Sequence, residues 1–148
     1  MHADRDDDAV PPCGSDDLAV VVRWERDGTG LRGQVIAENV SDQTCQLANK
    51  PTVTPLRSDG SPLPVETIIT LEWRSPGYVN LQPGQRAAAL VLWGSWCGAQ
   101  ASGQALVTWP GGSTKARVEG PTQPACGPSR AYNITSSWFN LIFEGPAV

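Results

Sequence analysis

Apolar and polar positions alternate along most of the chain with a period of two. The pattern is clearest in LAVVVRW, residues 18–24, where Leu18, Val20, Val22 and Trp24 share one face and Arg23 falls on the other. Asp27-Gly28 follows as a hairpin turn signal. LRGQVIAEN, residues 31–39, then turns Leu31, Val35 and Ala37 inward and Arg32, Gln34 and Glu38 outward. Short apolar pieces at 46–47 and 52–56 precede the turn chemistry of SDGSPLP. TIITLEWR, residues 67–74, aligns Ile69, Leu71 and Trp73 against Thr70, Glu72 and Arg74, which predicts a strand with Trp73, like Trp24, in the core. Pro83-Gly84 is a type II turn pair. RAAALVLW, residues 86–93, has helical propensity, but it is short, starts at a turn and ends at Gly94, so it reads as a strand. QALVTWP, a turn at WPGGST, the short ARVEG and the loop GPTQPACGPS come next. SSWFNLIF, residues 136–143, closes the pattern with Phe139, Leu141 and Phe143 on one face and Trp138 opposite. Eight or nine short strands at regular spacing, with no helix, predict an all-β, antiparallel β-sandwich.

Composition fits this reading. A chain of 148 residues holds one domain with a real core, and its 15 Gly and 13 Pro are scattered as turn punctuation. The domain is expected over 13–143, after a disordered acidic leader at 1–12 and before a tail at 144–148. A net charge of −4, with only Lys50 and Lys115 as lysines, argues against a nucleic-acid surface. No run of 18 apolar residues offers a membrane span. The leader MHADRDDDAVPP has no signal-peptide character. Met1 reads as a start added to a trimmed chain, so any signal or membrane anchor is expected upstream of it.

Trp96-Cys97-Gly98 resembles the start of a thioredoxin-type redox site, but the position of a resolving cysteine is taken by Gln100 and no βαβ pattern surrounds it. The four cysteines, Cys13, Cys45, Cys97 and Cys126, lie too far apart for a zinc knuckle. An even, widely spaced set in a β-rich chain reads as two disulfides, for which three pairings exist. The sequential one, Cys13–Cys45 with Cys97–Cys126, is favoured; it closes two loops of about thirty residues, each stabilising by roughly 3–4 kcal/mol in the chain-entropy model. Disulfides place the domain outside the cytoplasm.

The order of these features resembles a family of secreted or lipid-anchored actinobacterial domains of unassigned function. The residues that carry the resemblance are Cys13 with the acidic step to Leu18, then CQLANKPTV at 45–53, LQPGQRA at 81–87, Trp93, Cys97 and the late Cys126. Asn49 stands where that family has glycine, and Asn tolerates the left-handed backbone this implies. The resemblance implies an immunoglobulin-like sandwich exposed at the cell envelope and no activity.

Catalytic chemistry is sparse. His2, the single histidine, sits in the leader, which removes Ser-His-Asp and Cys-His arrangements. GGSTK at 111–115 fails phosphate-loop spacing. Asp4, Asp6, Asp7 and Asp8 lack the glycine turn and terminal glutamate of a calcium loop. No cofactor or metal is expected. A carboxylate pair for glycoside hydrolysis stays open, since 15 acids are present and distances do not show in a sequence. Tryptophan is in excess at six residues. Trp96, where the chain leaves a strand, and Trp138, opposite an apolar face, are the candidates for an aromatic contact surface; the bland alternative has loop tryptophans covering the ends of the core. The leading expectation is a non-catalytic extracytoplasmic interaction domain, anchored upstream, that meets an envelope protein. A cell-wall glycan-binding module is the alternative, and a carboxylate hydrolase the third.

Overall fold

A computed structural model describes residues 9–143; the acidic run at 4–8, His2 and the tail at 144–148 lie outside the described residues. Ten strands follow in chain order: β1 (Leu18–Asp27), β2 (Gly30–Asn39), β3 (Cys45–Ala48), β4 (Thr52–Pro55), β5 (Thr67–Ile69), β6 (Tyr78–Leu81), β7 (Arg86–Trp93), β8 (Gln104–Trp109), β9 (Gly112–Glu119) and β10 (Ile134–Ile142). No helix occurs among the described residues. β7 is the strand its length and flanking turns predict. It alternates with Ala87, Ala89, Val91 and Trp93 inward. The turn before it is closed by the Gln85 amide on the Gln82 carbonyl at 2.9 Å, with Gly84 at φ 85°, the conformation that the second central residue of a type II turn requires.

The architecture departs from the expected sandwich. Eight strands form one sheet in the order β4-β8-β9-β1-β2-β7-β10-β5, and β3 and β6 form a separate two-stranded ribbon. The large sheet curls until its two outermost strands meet in a nearly closed, barrel-like form. There the Thr67 hydroxyl of β5 accepts from the Val53 amide of β4 at 2.8 Å and donates to the Val53 carbonyl at 2.9 Å. One side chain thus supplies both bonds of a missing backbone rung. The sheet is not antiparallel throughout either: β1–β9 and β10–β5 are parallel. Alternation reveals which residues of a strand share a face, but not which strand lies beside it, so neighbour order and direction are not readable from it.

Inside the curl, Val22, Trp24, Val35, Val53, Val91, Trp93, Val107, Ile134 and Phe139 form the core, and Leu47 and Leu81 of the ribbon are buried with them. Gly33 of β2 shows how tightly β1 and β2 lie together: a Cβ there would sit 2.1 Å from the Arg23 carbonyl oxygen. β10 shifts register between Ser136 and Phe139. Phe139 stays buried and Leu141 packs against the core, but Phe143, expected on the same face, lies past the strand end and is exposed.

Both disulfides have the favoured pairing, with Cα separations of 4.8 Å for Cys13–Cys45 and 4.6 Å for Cys97–Cys126. Their surroundings differ. Cys13 and Cys45 are buried, and the chain before them runs along β3: the Gln46 amide donates to the Pro11 carbonyl at 2.7 Å and the Cys13 amide to the Gln46 carbonyl at 2.9 Å. The Trp109 indole also donates to the Cys13 carbonyl at 2.8 Å. Cys97 and Cys126 are both exposed, joining the end of β7 to the Pro/Gly-rich loop. Thiol–disulfide exchange requires the attacking thiolate to reach a sulfur. A small thiol reductant under native conditions is therefore expected to open Cys97–Cys126 well before Cys13–Cys45. Alkylation and peptide mapping over a time course check this; simultaneous labelling of all four cysteines would contradict it.

Asn49 has φ 67°, the one non-glycine residue in the left-handed region among those described, and its amide donates to the Gly77 carbonyl at 2.9 Å. The position where the resemblance expects glycine does need a left-handed backbone. Asn49 directly precedes Lys50, and this turn aims Lys50 at the corner described next.

Candidate functional site

The periodicity of 67–74 predicts a strand that buries Ile69, Leu71 and Trp73. The structure inverts that segment. β5 ends at Ile69, and the chain runs on beside β10 with its polar side chains engaged and its apolar ones in solvent. Leu71 is 100% exposed and Trp73 84%.

The polar residues make the attachment. The Thr70 amide donates to the Ser136 carbonyl at 2.9 Å. Thr70 and Ser137 both donate their hydroxyls to Glu72 Oε1. Arg74 donates from Nη1 to Asn140 Oδ1 at 2.6 Å, and the Trp138 indole donates to the Glu72 carbonyl at 3.2 Å. Lys50 completes the clamp. It is only 8% exposed, and its ammonium donates to the Thr70 carbonyl and, at 3.0 Å, to the Glu72 carbonyl. The same ammonium lies 4.7 Å from the centre of the Trp138 ring, and the Arg74 guanidinium 5.0 Å from it, both within cation–π range. A buried lysine is expensive unless its donors are satisfied; here two backbone carbonyls and an aromatic ring satisfy it. The Ser137 hydroxyl, then the Thr70 hydroxyl, hold the Glu72 carboxyl below the usual glutamate range, with the positive charges of Lys50 and Arg74 adding to the effect. Glu72 is therefore ionised at neutral pH.

These groups line a shallow cleft of about 240 Å³ bounded by Glu72, Trp73, Arg74, Ser137, Trp138 and Asn140. The cleft has an exposed indole at its rim, a half-buried indole with two cations against it, one ionised carboxylate and one amide. Among the described residues, no three His, Cys, Asp or Glu side chains come together as a metal site.

Of the two tryptophans the sequence singles out as a contact surface, the structure places only Trp138 here. Trp96 is 9% exposed and belongs to the core. Its indole donates to the Ala99 carbonyl at 2.7 Å, and its ring lies 6.1 Å from Trp93, which lies 6.2 Å from Trp24. The loop after β7 folds over it so closely that a Cβ on Gly98 would approach the ring to 2.4 Å. Trp73 makes the opposite exchange, from expected core to exposed rim. Leu71, Trp73, Lys50, Glu72 and Arg74 were not legible as site residues. The alternation of 67–74 is present, but it does not say which of its two faces the rest of the protein covers. The four cysteines lie in the two disulfides and none lines the cleft.

Among curated proteins and among solved structures nothing matches the chain. A family model does match, over residues 13–135, from the first disulfide cysteine into β10. The chain thus belongs to the family described as a domain of unknown function, DUF4232.

Proposed function

We propose that this chain is a non-catalytic interaction domain of the actinobacterial cell envelope, held outside the cytoplasm, and that its contact surface is the corner formed by 69–74 and β10. The inverted segment carries this reading. Folding normally covers apolar side chains, and a segment with regular alternation could bury Leu71 and Trp73 by turning over. Instead a buried lysine, two hydroxyls and an arginine fix the orientation that leaves them in water. Exposed aromatic residues at fixed positions are typical interface anchors. The two disulfides support an oxidising compartment. Glu72 is the only acid lining the cleft among the described residues, which favours binding over the two-carboxylate chemistry of glycoside hydrolysis. An envelope protein and a cell-wall glycan are the two partner classes that suit such a domain.

Retention on isolated cell envelopes tests the reading. The double variant Leu71→Ser/Trp73→Ala is expected to bind at least tenfold more weakly than the natural chain, since anchor residues contribute about 2 kcal/mol or more each, while its melting temperature stays close to the parent's. Equal retention of parent and variant would remove this corner from the binding surface.

A further inference from the structure

The chemistry of the cleft goes further than the interaction reading on which it rests. The geometry points to a neutral pyranose ring as the group this cleft takes, with Trp73 as the stacking platform and Glu72 and Arg74 as the polar partners.

A pyranose presents an apolar face of axial C–H groups and a rim of hydroxyls. It therefore needs a flat, exposed ring beside fixed donors and acceptors. Trp73 supplies the ring: at 84% exposure it is the indole left open to a ligand, whereas Lys50 and Arg74 already lie against Trp138. Trp138 forms a wall of the cleft and holds the 72 carbonyl through its indole N–H. Glu72 supplies an acceptor in a set position. Its Oε1 takes the Thr70 and Ser137 hydroxyls, and the residue is exposed, so Oε2 is left as the acceptor for a ligand hydroxyl. Arg74 supplies the donor. Nη1 is committed to Asn140, but Nη2 has no hydrogen-bond partner. An unpartnered, solvent-shielded donor is costly in a folded protein, and a sugar oxygen entering beside it would satisfy it after a small shift.

Charge and size narrow the class. Lys50 is buried and Arg74 lies against Trp138 with Nη2 shielded from solvent, so the exposed charge beside Trp73 is the ionised Glu72 carboxylate, which disfavours uronate or phosphate polymers. The volume of about 240 Å³ is below the ~300–1,000 Å³ of pockets that enclose a whole small molecule. It suits one ring of a longer chain whose neighbours stay in solvent, and the fully exposed Leu71 beside it can meet the next residue of such a chain.

The test uses indole fluorescence and calorimetry on the whole chain, with tetramers of β-1,4-linked N-acetylglucosamine and glucose as neutral probes and tetragalacturonate as the acidic one. A neutral tetramer should give a saturable blue shift, because stacking removes water from the exposed Trp73. Trp73→Ala should abolish the shift, Trp73→Tyr should retain part of it, and Glu72→Gln should weaken binding about tenfold with Thr70 and Ser137 still in place. Tetragalacturonate should bind at least tenfold more weakly than the better neutral tetramer. Failure of both neutral tetramers to bind, binding unchanged in Trp73→Ala, or preference for the acidic probe overturns the proposal. If envelope retention still depends on Leu71 and Trp73 while both neutral tetramers fail, the interaction reading stands and the partner is a protein.

Discussion

Trp96→Ala is expected to lower the unfolding free energy by about 3–5 kcal/mol, the usual cost of deleting a buried aromatic ring, whereas Trp73→Ala should change it by less than about 0.5 kcal/mol, as an exposed substitution does. Chemical denaturation of the two variants checks the contrast. The reason lies in what each ring touches. Trp96 closes a run of three tilted indoles, Trp24–Trp93–Trp96, with neighbouring centres 6.2 and 6.1 Å apart. Its N–H is satisfied by the Ala99 carbonyl, and Gly98 lies over its six-membered ring. Truncation would leave a cavity beside Trp93 and remove the object around which 97–101 folds. Trp73 has little to lose, since 84% of it already meets solvent. A severe loss on Trp73→Ala together with a mild one on Trp96→Ala would reverse the assignment of core and surface made from the structure.

The contrast also shows what alternation can and cannot reveal. In β1 and β2 the residues that alternation groups together turn into the core: Leu18, Val22 and Trp24 in one, with Val20 partly buried, and Leu31, Val35 and Ala37 in the other. These strands have neighbours on both sides, so one face must point into the curl. The segment at 67–74 has the same period but lies at the sheet's edge, where β10 is its only ladder partner and β4 reaches it by hydrogen bonds through Thr67 alone. There the hydrogen-bonding demands of Thr70, Glu72, Arg74 and Lys50 decide the orientation, and the apolar set is left outside. Trp96 fails for a related reason. It lies three residues past β7 in a loop, where position along the chain carries no information on burial. The buried Lys50 could not be found from sequence, since its partners are backbone carbonyls 20 and 22 residues away. The disulfide pairing was legible, because four cysteines allow only three pairings and the sequential one closes moderate loops.

Removing the buried disulfide as Cys13→Ala/Cys45→Ala is expected to cost more than Cys97→Ala/Cys126→Ala, although the two loops are nearly equal, with separations of 32 and 29 residues. The chain-entropy term is therefore the same for both, about 3–4 kcal/mol. Burial breaks the tie. Cys13 and Cys45 have almost no exposed surface, so truncating both sulfurs opens a space in the core and adds a cavity cost on top of the entropic one. Cys13 also anchors the first described segment to β3 through the Cys13–Gln46 and Gln46–Pro11 backbone bonds, and its carbonyl takes the Trp109 indole N–H. Releasing that segment leaves the buried Trp109 N–H without its partner, a further loss of about 1–3 kcal/mol where the two separate. The exposed pair has no such dependants, and its loop keeps the Ala125–Thr29, Ser95–Ala131 and Gly127–Ser95 hydrogen bonds after the bridge is gone. Denaturant midpoints of the two double variants measured side by side decide the matter: a Cys97/Cys126 variant as unstable as the Cys13/Cys45 one would show that loop closure alone governs both.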